Sequence, residues 1–385
     1  MKNIVILGVT GSIGQSTLKV IRHLKDKFNI IGVAGGSRWQ ATAEAANEFN
    51  VPLACTANEA DLNSFQNHLG ESSEALSGEA GLIKMCTDPR VDMVLCGIVG
   101  VGGLIPVYEA VKLGKDIALA SKEILVAAGE IIMDEAHKSG AKIIPVDSEH
   151  CAIFQCLESK RADHVRRAIL TCSGGPFLRT SKEDFKDITV AKALKHPTWE
   201  MGQKITIDSA SLMNKALEVI EARWLFDLEP EQVDVVIHPQ SIVHSMVEFT
   251  DGTVLAQMSE NDMVFPIQYA LTYPERHAGS LKPMDFTKAM QLTFEGPDKS
   301  RFPSLDFAYR AMREGGASPA ILNAVNEVAA MAFINEEIEF VQIWELIEYY
   351  LDHAKDFASA SLEDIVATDR RVRELARERI LRGKK

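Results

Sequence analysis

The first 150 residues alternate short β-branched runs with amphipathic stretches, and this alternation constrains the fold more than any other feature. The runs are Ile4–Leu7, Ile30–Ala34, Val51–Cys55, Val91–Cys96, Asp116–Leu119 and Lys142–Val146. Helical patterns such as Ile13–Leu24 and Lys122–His137 lie between them. Strands alternating with helices predict βαβ units and a parallel sheet. Right-handed crossovers then carry the loops that follow the strands to one common edge, where open α/β sheets place their chemistry.

Beyond residue 150 the pattern changes. Arg166–Cys172, Val233–Ile237 and Ile242–Phe249 read as strands, and Phe249-Thr250-Asp251-Gly252-Thr253 as a hairpin turn into Val254–Met258. Helical pieces at Ser211–Ala222 and Asp262–Leu271 complete an α+β segment. Pro274, Pro283, Pro297 and Pro303 mark a linker with little periodicity. From Ser304 onward the chain predicts helices near 304–314, 318–335, 340–353 and 361–381, a small bundle. Ser318-Pro319 and Ser361-Leu362-Glu363-Asp364 have the chemistry of helix starts. At 385 residues two or three domains are expected. The fold class is therefore α/β: an N-terminal Rossmann-like parallel sheet over 1–150, a central α+β catalytic domain over 151–273, a linker over 274–303 and a C-terminal helical bundle over 304–385.

The net charge of −13 argues against a nucleic-acid partner, because a polyanion needs a basic face. No apolar run is long enough for a membrane span, and the N-terminal apolar stretch flows straight into a glycine turn, as a first strand does. Cys55, Cys86, Cys96, Cys151, Cys156 and Cys172 have no metal-ligand spacing and read as buried thiols in a reducing compartment, so a cytoplasmic protein is expected.

Gly8-Val9-Thr10-Gly11-Ser12-Ile13-Gly14 follows the first strand and opens the first helix. Its GxxGxxG spacing allows a tight turn and close backbone approach to a pyrophosphate at a helix N-terminus. The second strand ends in Ala34-Gly35-Gly36-Ser37-Arg38, with an arginine where an NAD site carries an acid. That favours NADP, although a solvated Arg38 would read the same way.

Pro145-Val146-Asp147-Ser148-Glu149-His150 follows another strand. In an extended segment Asp147 and Glu149 point to one side, and two like charges held together need a cation, a shared proton or water; a solvated acidic loop is the competing reading. In Thr206–Glu221, the residues Asp208, Ser209 and Ser211 are cap types at an expected helix start, while Asn214, Lys215 and Glu218 share a face. Such a helix start offers a phosphate pocket, or merely a capped surface helix with an ion pair. Cys172-Ser173-Gly174-Gly175-Pro176 ends a strand in a turn able to present N–H groups and a hydroxyl to an anion. His196–Gly202, with Trp199, reads either as a lid or as an ordinary partly buried segment. His238 and His244 flank a strand start and are more simply structural. Asp147, Glu149 and Glu218 together make an all-oxygen set for Mg²⁺ or Mn²⁺, and Lys122 follows the Asp116–Leu119 strand in a place to position the same oxygens or the nicotinamide. A hydride carrier, a hard metal and a phosphate pocket suggest a phosphorylated hydroxy-ketone as substrate.

The segments GVTGSIGQST, LASKE, PVDSEH, SGGPF, HPTWEMGQKITIDSASLMNKALEVIEA and HPQSIVHSMVE resemble, in order, the signatures of the 1-deoxy-D-xylulose 5-phosphate reductoisomerase family. The resemblance implies NADPH- and metal-dependent rearrangement and reduction to 2-C-methyl-D-erythritol 4-phosphate, in non-mevalonate isoprenoid synthesis, by a homodimer. It implies metal ligation and catalysis by Asp147, Glu149 and Glu218 with Lys122. Ser173, Ser209, Asn214 and Lys215 match phosphate-binding positions; Ser148, His196, Trp199 and His244 match other substrate contacts. Cofactor contacts fall on Thr10, Gly11, Ser12, Ile13, Gly36, Ser37, Arg38, Ser121, Lys122, Glu123 and Gly202. Val9, Ser121 and the Ser37-Arg38 pair depart from the family's usual residues, all near the cofactor. An NADP-dependent dehydrogenase without isomerisation and a non-catalytic nucleotide sensor are the alternatives; the first has no need of three convergent carboxylates, and the second would tolerate damage among them.

Overall fold

The computed structural model describes residues 1–158, 164–196, 199 and 201–383. The first part of the chain runs β1 (Lys2–Leu7), α1 (Ser12–His23), β2 (Phe28–Ala34), α2 (Trp39–Glu48), β3 (Leu53–Thr56), α3 (Leu62–His68), β4 (Glu74–Ser77) and α4 (Gly78–Cys86). It continues β5 (Met93–Cys96), α5 (Leu104–Lys112), β6 (Asp116–Leu119), α6 (Glu123–Ser139), β7 (Ile143–Pro145) and α7 (Ser148–Cys156). The seven strands form one parallel sheet in the order β4-β3-β2-β1-β5-β6-β7. Ile4 of β1 faces Ile30 on one side and Met93 on the other, and β3, β5 and β1 from Ile4 onward are buried throughout. Helices on both faces remove water from both sides of such strands, which is why they read as continuous apolar runs. Strand order reverses at β1, so the crevice at the carboxyl ends of β1 and β5 is where a ligand is expected.

The remainder runs β8 (Val165–Cys172), α8 (Val190–Ala193), α9 (Gln203–Ala210), α10 (Met213–Phe226), β9 (Val233–Ile237), β10 (Val243–Phe249), β11 (Val254–Met258), α11 (Val264–Thr272), α12 (Ser304–Glu314), α13 (Ser318–Ile334), α14 (Gln342–Asp352) and α15 (Leu362–Gly383). A second sheet has the order β11-β10-β8-β9, antiparallel except for the β8–β9 pair. The expected class, a parallel nucleotide-type sheet with a mixed α+β part and a helical tail, is the one observed.

Two compact units emerge. One comprises Met1–Ile124, Ile132–Cys151 and Asp262–Pro283; the other Leu125–Ile131, Ala152–Asn261 and Met284–Lys385. In the first, α11 packs along α1, and Lys2 Nζ donates to the Leu271 carbonyl at 2.8 Å. In the second, Phe185, Phe302, Phe340 and Trp344 form an aromatic cluster of tilted and edge-on rings inside one continuous core. Ser304, fully buried, accepts the Trp344 indole N–H at 2.8 Å and donates to the Ser211 carbonyl at 2.7 Å.

Two local expectations are corrected. The helix read as starting near Ser211 is two helices, α9 and α10, broken at Leu212 with φ 61°. Asp208 and Ser209 therefore lie in the last turn of α9 and are not caps; Ser211 turns its hydroxyl back to the Ile207 carbonyl at 3.0 Å. The extended reading of PVDSEH also fails. Strand β7 stops at Pro145 and α7 begins at Ser148, the Asp147 carbonyl accepting the Cys151 N–H at 2.8 Å. In addition β4, unpredicted from sequence, adds an edge strand with one buried residue. The reciprocal cap at the start of α15 is present: Asp364 N–H to Ser361 Oγ at 3.1 Å and Ser361 N–H to Asp364 Oδ2 at 3.2 Å.

Candidate active site

In the first unit, the glycine turn joins β1 to α1 at the strand-order reversal. Gly11, in extended conformation, caps α1, so Ser12 and Ile13 open the helix with their N–H groups unclaimed by an earlier turn. At Gly14 an added Cβ would stand 2.4 Å from the carbonyl oxygens of Gly8 and Val9, so only glycine lets the helix sit this close to the turn. Gly36, Ser37 and Arg38 are exposed at the end of β2, and the Arg38 guanidinium donates to the Thr10 carbonyl. A cavity of about 430 Å³ opens there, lined by Thr10, Gln15, Arg22, Arg38, Glu44 and Glu48. Backbone N–H groups at a helix start beside a cationic side chain suit a dinucleotide phosphate.

At the end of β6, Ser121 hydrogen-bonds through its hydroxyl to the Ile98 carbonyl, and Lys122 and Glu123 are buried at the start of α6. Lys122 Nζ forms an ion pair with Asp147, both nearly shielded from solvent. The Ser148 hydroxyl donates to Glu149. His150, fully buried on the same turn, has a ring nitrogen within 4.8 Å of an Asp147 carboxylate oxygen, a neighbour sequence reasoning quoted without giving it a role.

In the second unit, β8 delivers Ser173 into a double-glycine turn, with Gly174 at φ 84° and Gly175 at φ 67°. A Cβ at Gly175 would meet the Ser209 carbonyl at 2.7 Å, so the turn and the end of α9 touch backbone to backbone. His196 joins them: its Nε2 lies 3.2 Å from Ser173 Oγ and 3.0 Å from Ser209 Oγ. Its Nδ1 accepts the Trp199 backbone N–H at 2.9 Å. Burial lowers the His196 pKa, which favours the neutral ring this geometry requires. Across the Leu212 break, Glu218 is fully buried; its carboxylate accepts from Asn214 Nδ2 at 2.5 Å and pairs with the buried ammonium of Lys215. His244, buried on β10, lies with its ring centroid 6.5 Å from that of Trp199 and its Nε2 3.3 Å from the Ser259 carbonyl. Gly202 caps α9. His238 is structural: Nδ1 faces the Thr293 carbonyl at 2.9 Å, and Nε2 accepts the N–H groups of Ile242 and Val243, each at 3.2 Å.

The structure thus groups Lys122 with Asp147, Ser173 with His196 and Ser209, and Asn214 and Lys215 with Glu218. The buried partners of Asp208, described below, escaped sequence reasoning, because a lone acid near serines signals a cap and nothing else. Cys55, Cys86 and Cys96 are buried thiols; burial pushes the Cys55 thiol to about 12 and the Cys96 thiol to about 11, so neither is nucleophilic near neutral pH.

A doubly wound sheet with a glycine turn at its reversal point, joined in one chain to a turn of hydroxyls, imidazole and ammonium, defines a dinucleotide-dependent oxidoreductase. Comparison with known proteins narrows the class. Residues 4–129 match the model of 1-deoxy-D-xylulose 5-phosphate reductoisomerase, residues 143–226 that of its C-terminal domain, and residues 258–375 that of a further DXP reductoisomerase C-terminal domain. The 1-deoxy-D-xylulose 5-phosphate reductoisomerase of Geotalea uraniireducens is 48% identical over 379 residues, 98% of each chain. That of Caldanaerobacter subterraneus is 47% identical, covering 99% of this chain and 100% of its own. The Zymomonas mobilis enzyme, solved in complex with NADPH, superposes with a TM-score of 0.92 at 40% identity, over 98% of this chain and 99% of its own. A DOX-P reductoisomerase solved in complex with NADPH, fosmidomycin and magnesium gives 0.95 at 39% identity over 100% of both chains. The chain belongs to the 1-deoxy-D-xylulose 5-phosphate reductoisomerase family.

Proposed function

We propose that the chain converts 1-deoxy-D-xylulose 5-phosphate to 2-C-methyl-D-erythritol 4-phosphate, with NADPH and a divalent cation. Near-full-length family identity supports this, and so does the binding of NADPH and magnesium by the solved relatives. The observation that carries it is that the side chains the reaction calls for are present and held: Asp147 by Lys122, Glu218 by Asn214 and Lys215, Ser173 and Ser209 by His196.

The donor chemistry fits both groups. Asp147, Glu149 and Glu218 offer only carboxylate oxygens, the ligand type of a hard cation such as Mg²⁺ or Mn²⁺. Glycine at position 14, where a Cβ would collide with the Gly8 and Val9 carbonyls, lets α1 start close against the turn, and Arg38 beside Thr10 supplies a cation suited to a 2′-phosphate. When bound, the cation polarises neighbouring substrate oxygens and the dihydronicotinamide provides hydride. The protein's own share is orientation. Ser173, Ser209, Asn214 and Lys215 take the phosphate; Lys122 offsets the Asp147 charge and orients that carboxylate; Ser148, His196 and His244 contact the sugar; Trp199 closes over it and excludes water. Thr10, Gly11, Ser12, Ile13, Gly36, Ser37, Arg38, Ser121, Lys122, Glu123 and Gly202 take the cofactor.

The test follows NADPH absorbance with 1-deoxy-D-xylulose 5-phosphate, with and without Mg²⁺ or Mn²⁺. Oxidation only with metal is expected; no oxidation under any metal overturns the reading, and metal-independent oxidation favours a simple dehydrogenase.

A homodimer in the cytoplasm, with no nucleic-acid partner, completes the proposal. Exposed Phe286, Met290 and Phe294 and the open edge of β11, with Val254 exposed, support self-association. The buried thiols Cys55, Cys86 and Cys96 support a reducing compartment, and the charge of −13 disfavours nucleic acid. No helix among the described residues is long and apolar enough to cross a membrane.

A further inference from the structure

The last turn of α9 carries a carboxylate that the reaction scheme does not use. Asp208 is 2% exposed, and its two oxygens have separate partners: Lys204 Nζ at 2.7 Å, one turn earlier, and Asn326 Nδ2 at 2.9 Å, from α13. Asn326 is fully buried. The same helix, α13, is tied to α15, because Glu327 accepts from Arg373 at 2.7 Å, and Arg373 in turn grips Asp369 with two bonds of 2.7 and 2.9 Å. Burial works to raise the Glu327 pKa, but the Arg373 hydrogen bond with the Lys204 and Arg373 charges outweighs it and holds the carboxyl below its ordinary value. A buried charge of this kind is costly to desolvate, where an apolar side chain would pack without that cost. Its neighbour Ser209 lies about 100° further round the helix, and turns its hydroxyl to His196.

We propose that Asp208 is a positioning residue for the phosphate end of the site. Clamped by Asn326 and Lys204, it fixes the rotation of α9 about its axis, and with it the placement of the Ser209 hydroxyl against His196 and Ser173. The inference rests on the phosphate reading of Ser209 given above.

The test compares wild type, D208N and the exchange D208N/N326D, which returns a carboxylate to the same contact. Steady-state constants are measured together with the Kd of inorganic phosphate by calorimetry. D208N is expected to raise the KM for the sugar phosphate and the phosphate Kd by about tenfold. Its kcat should stay within about threefold of wild type, with the KM for NADPH unmoved. The exchange should recover most of both losses. N326S, which spares the Asp208–Lys204 pair, should shift the same two constants by about threefold and serves if D208N does not fold. An unchanged sugar-phosphate KM and phosphate Kd in folded D208N or N326S, proportional losses in every constant, or no recovery in the exchange overturns the proposal. Phosphate binding is read without turnover. A wild type that binds phosphate but leaves 1-deoxy-D-xylulose 5-phosphate unchanged would thus sink the functional reading and not this one.

Discussion

His196 accepts the Trp199 backbone N–H at its Nδ1, which leaves Nε2 as the protonated nitrogen facing the hydroxyls of Ser173 and Ser209. One ring therefore couples the Trp199 segment to the serine cluster, provided the imidazole stays neutral. Because burial depresses its pKa in the folded state, the unfolded chain binds the proton more readily. Stability from this residue is full above about pH 6.5 and is lost as pH falls below it. Thermal melts of wild type and H196Q between about pH 7 and pH 5 check the sign. The wild-type midpoint should fall more steeply with acid, and parallel slopes would refute it.

Lys122 and Asp147 are a nearly dry ion pair. Removing the cation alone leaves an uncompensated carboxylate, so K122M should be destabilised by about 3 kcal/mol in urea unfolding without divalent metal. Added Mg²⁺ should stabilise K122M more than wild type, since it replaces the lost counter-charge. Equal stabilisation of both would argue against Asp147 as a ligand.

Glu218 sits between Asn214 and Lys215 with no solvent exposure. E218Q preserves its volume but removes the charge, and should lower kcat by at least about a hundredfold. NADPH affinity, read by fluorescence titration, should stay near wild type; a matching loss would mean that Glu218 also supports the cofactor.

At Gly14 the space for a Cβ is already taken by two carbonyl oxygens. G14A should destabilise the protein by about 1–3 kcal/mol through overpacking. NADPH binding should weaken by about tenfold or more, with the inorganic phosphate Kd untouched. Loss of both affinities would show that the variant is globally disrupted.

Much of this arrangement was legible in the sequence, for reasons the structure makes plain. Strands buried on both faces leave unbroken apolar runs, which is why β6 falls where the pattern set it; β9 alternates buried and half-buried positions, and β11, with no buried residue, was marked by the Asp251-Gly252 turn before it. Strand β4 escaped because an edge strand with a single buried residue carries no such run. Around Leu212 the local signals misled. Asp, Ser and Ser before an apolar run are the usual chemistry of a helix start, yet Asp208 and Ser209 found distant partners in Asn326 and His196. Side chains with long-range partners give no periodic signal. That Asn214, Lys215 and Glu218 share a face was readable from their spacing; how His196 ties Ser173 to Ser209 was not, because it depends on sheet and helix ends far apart in the chain.

The left-handed turn at Leu212 makes residue count as binding a constraint as residue type. Ser209 is fixed on one helix and Asn214, Lys215 and Glu218 on the next, with Ser211 tied between them to Ser304. One inserted or deleted residue would swing everything downstream through about 100°, turning the Lys215 ammonium and the Glu218 carboxylate relative to the Ser209 hydroxyl. Substitutions here can be graded, but a change in length is all or nothing, so this stretch should be the part of the chain where drift in length is least tolerated.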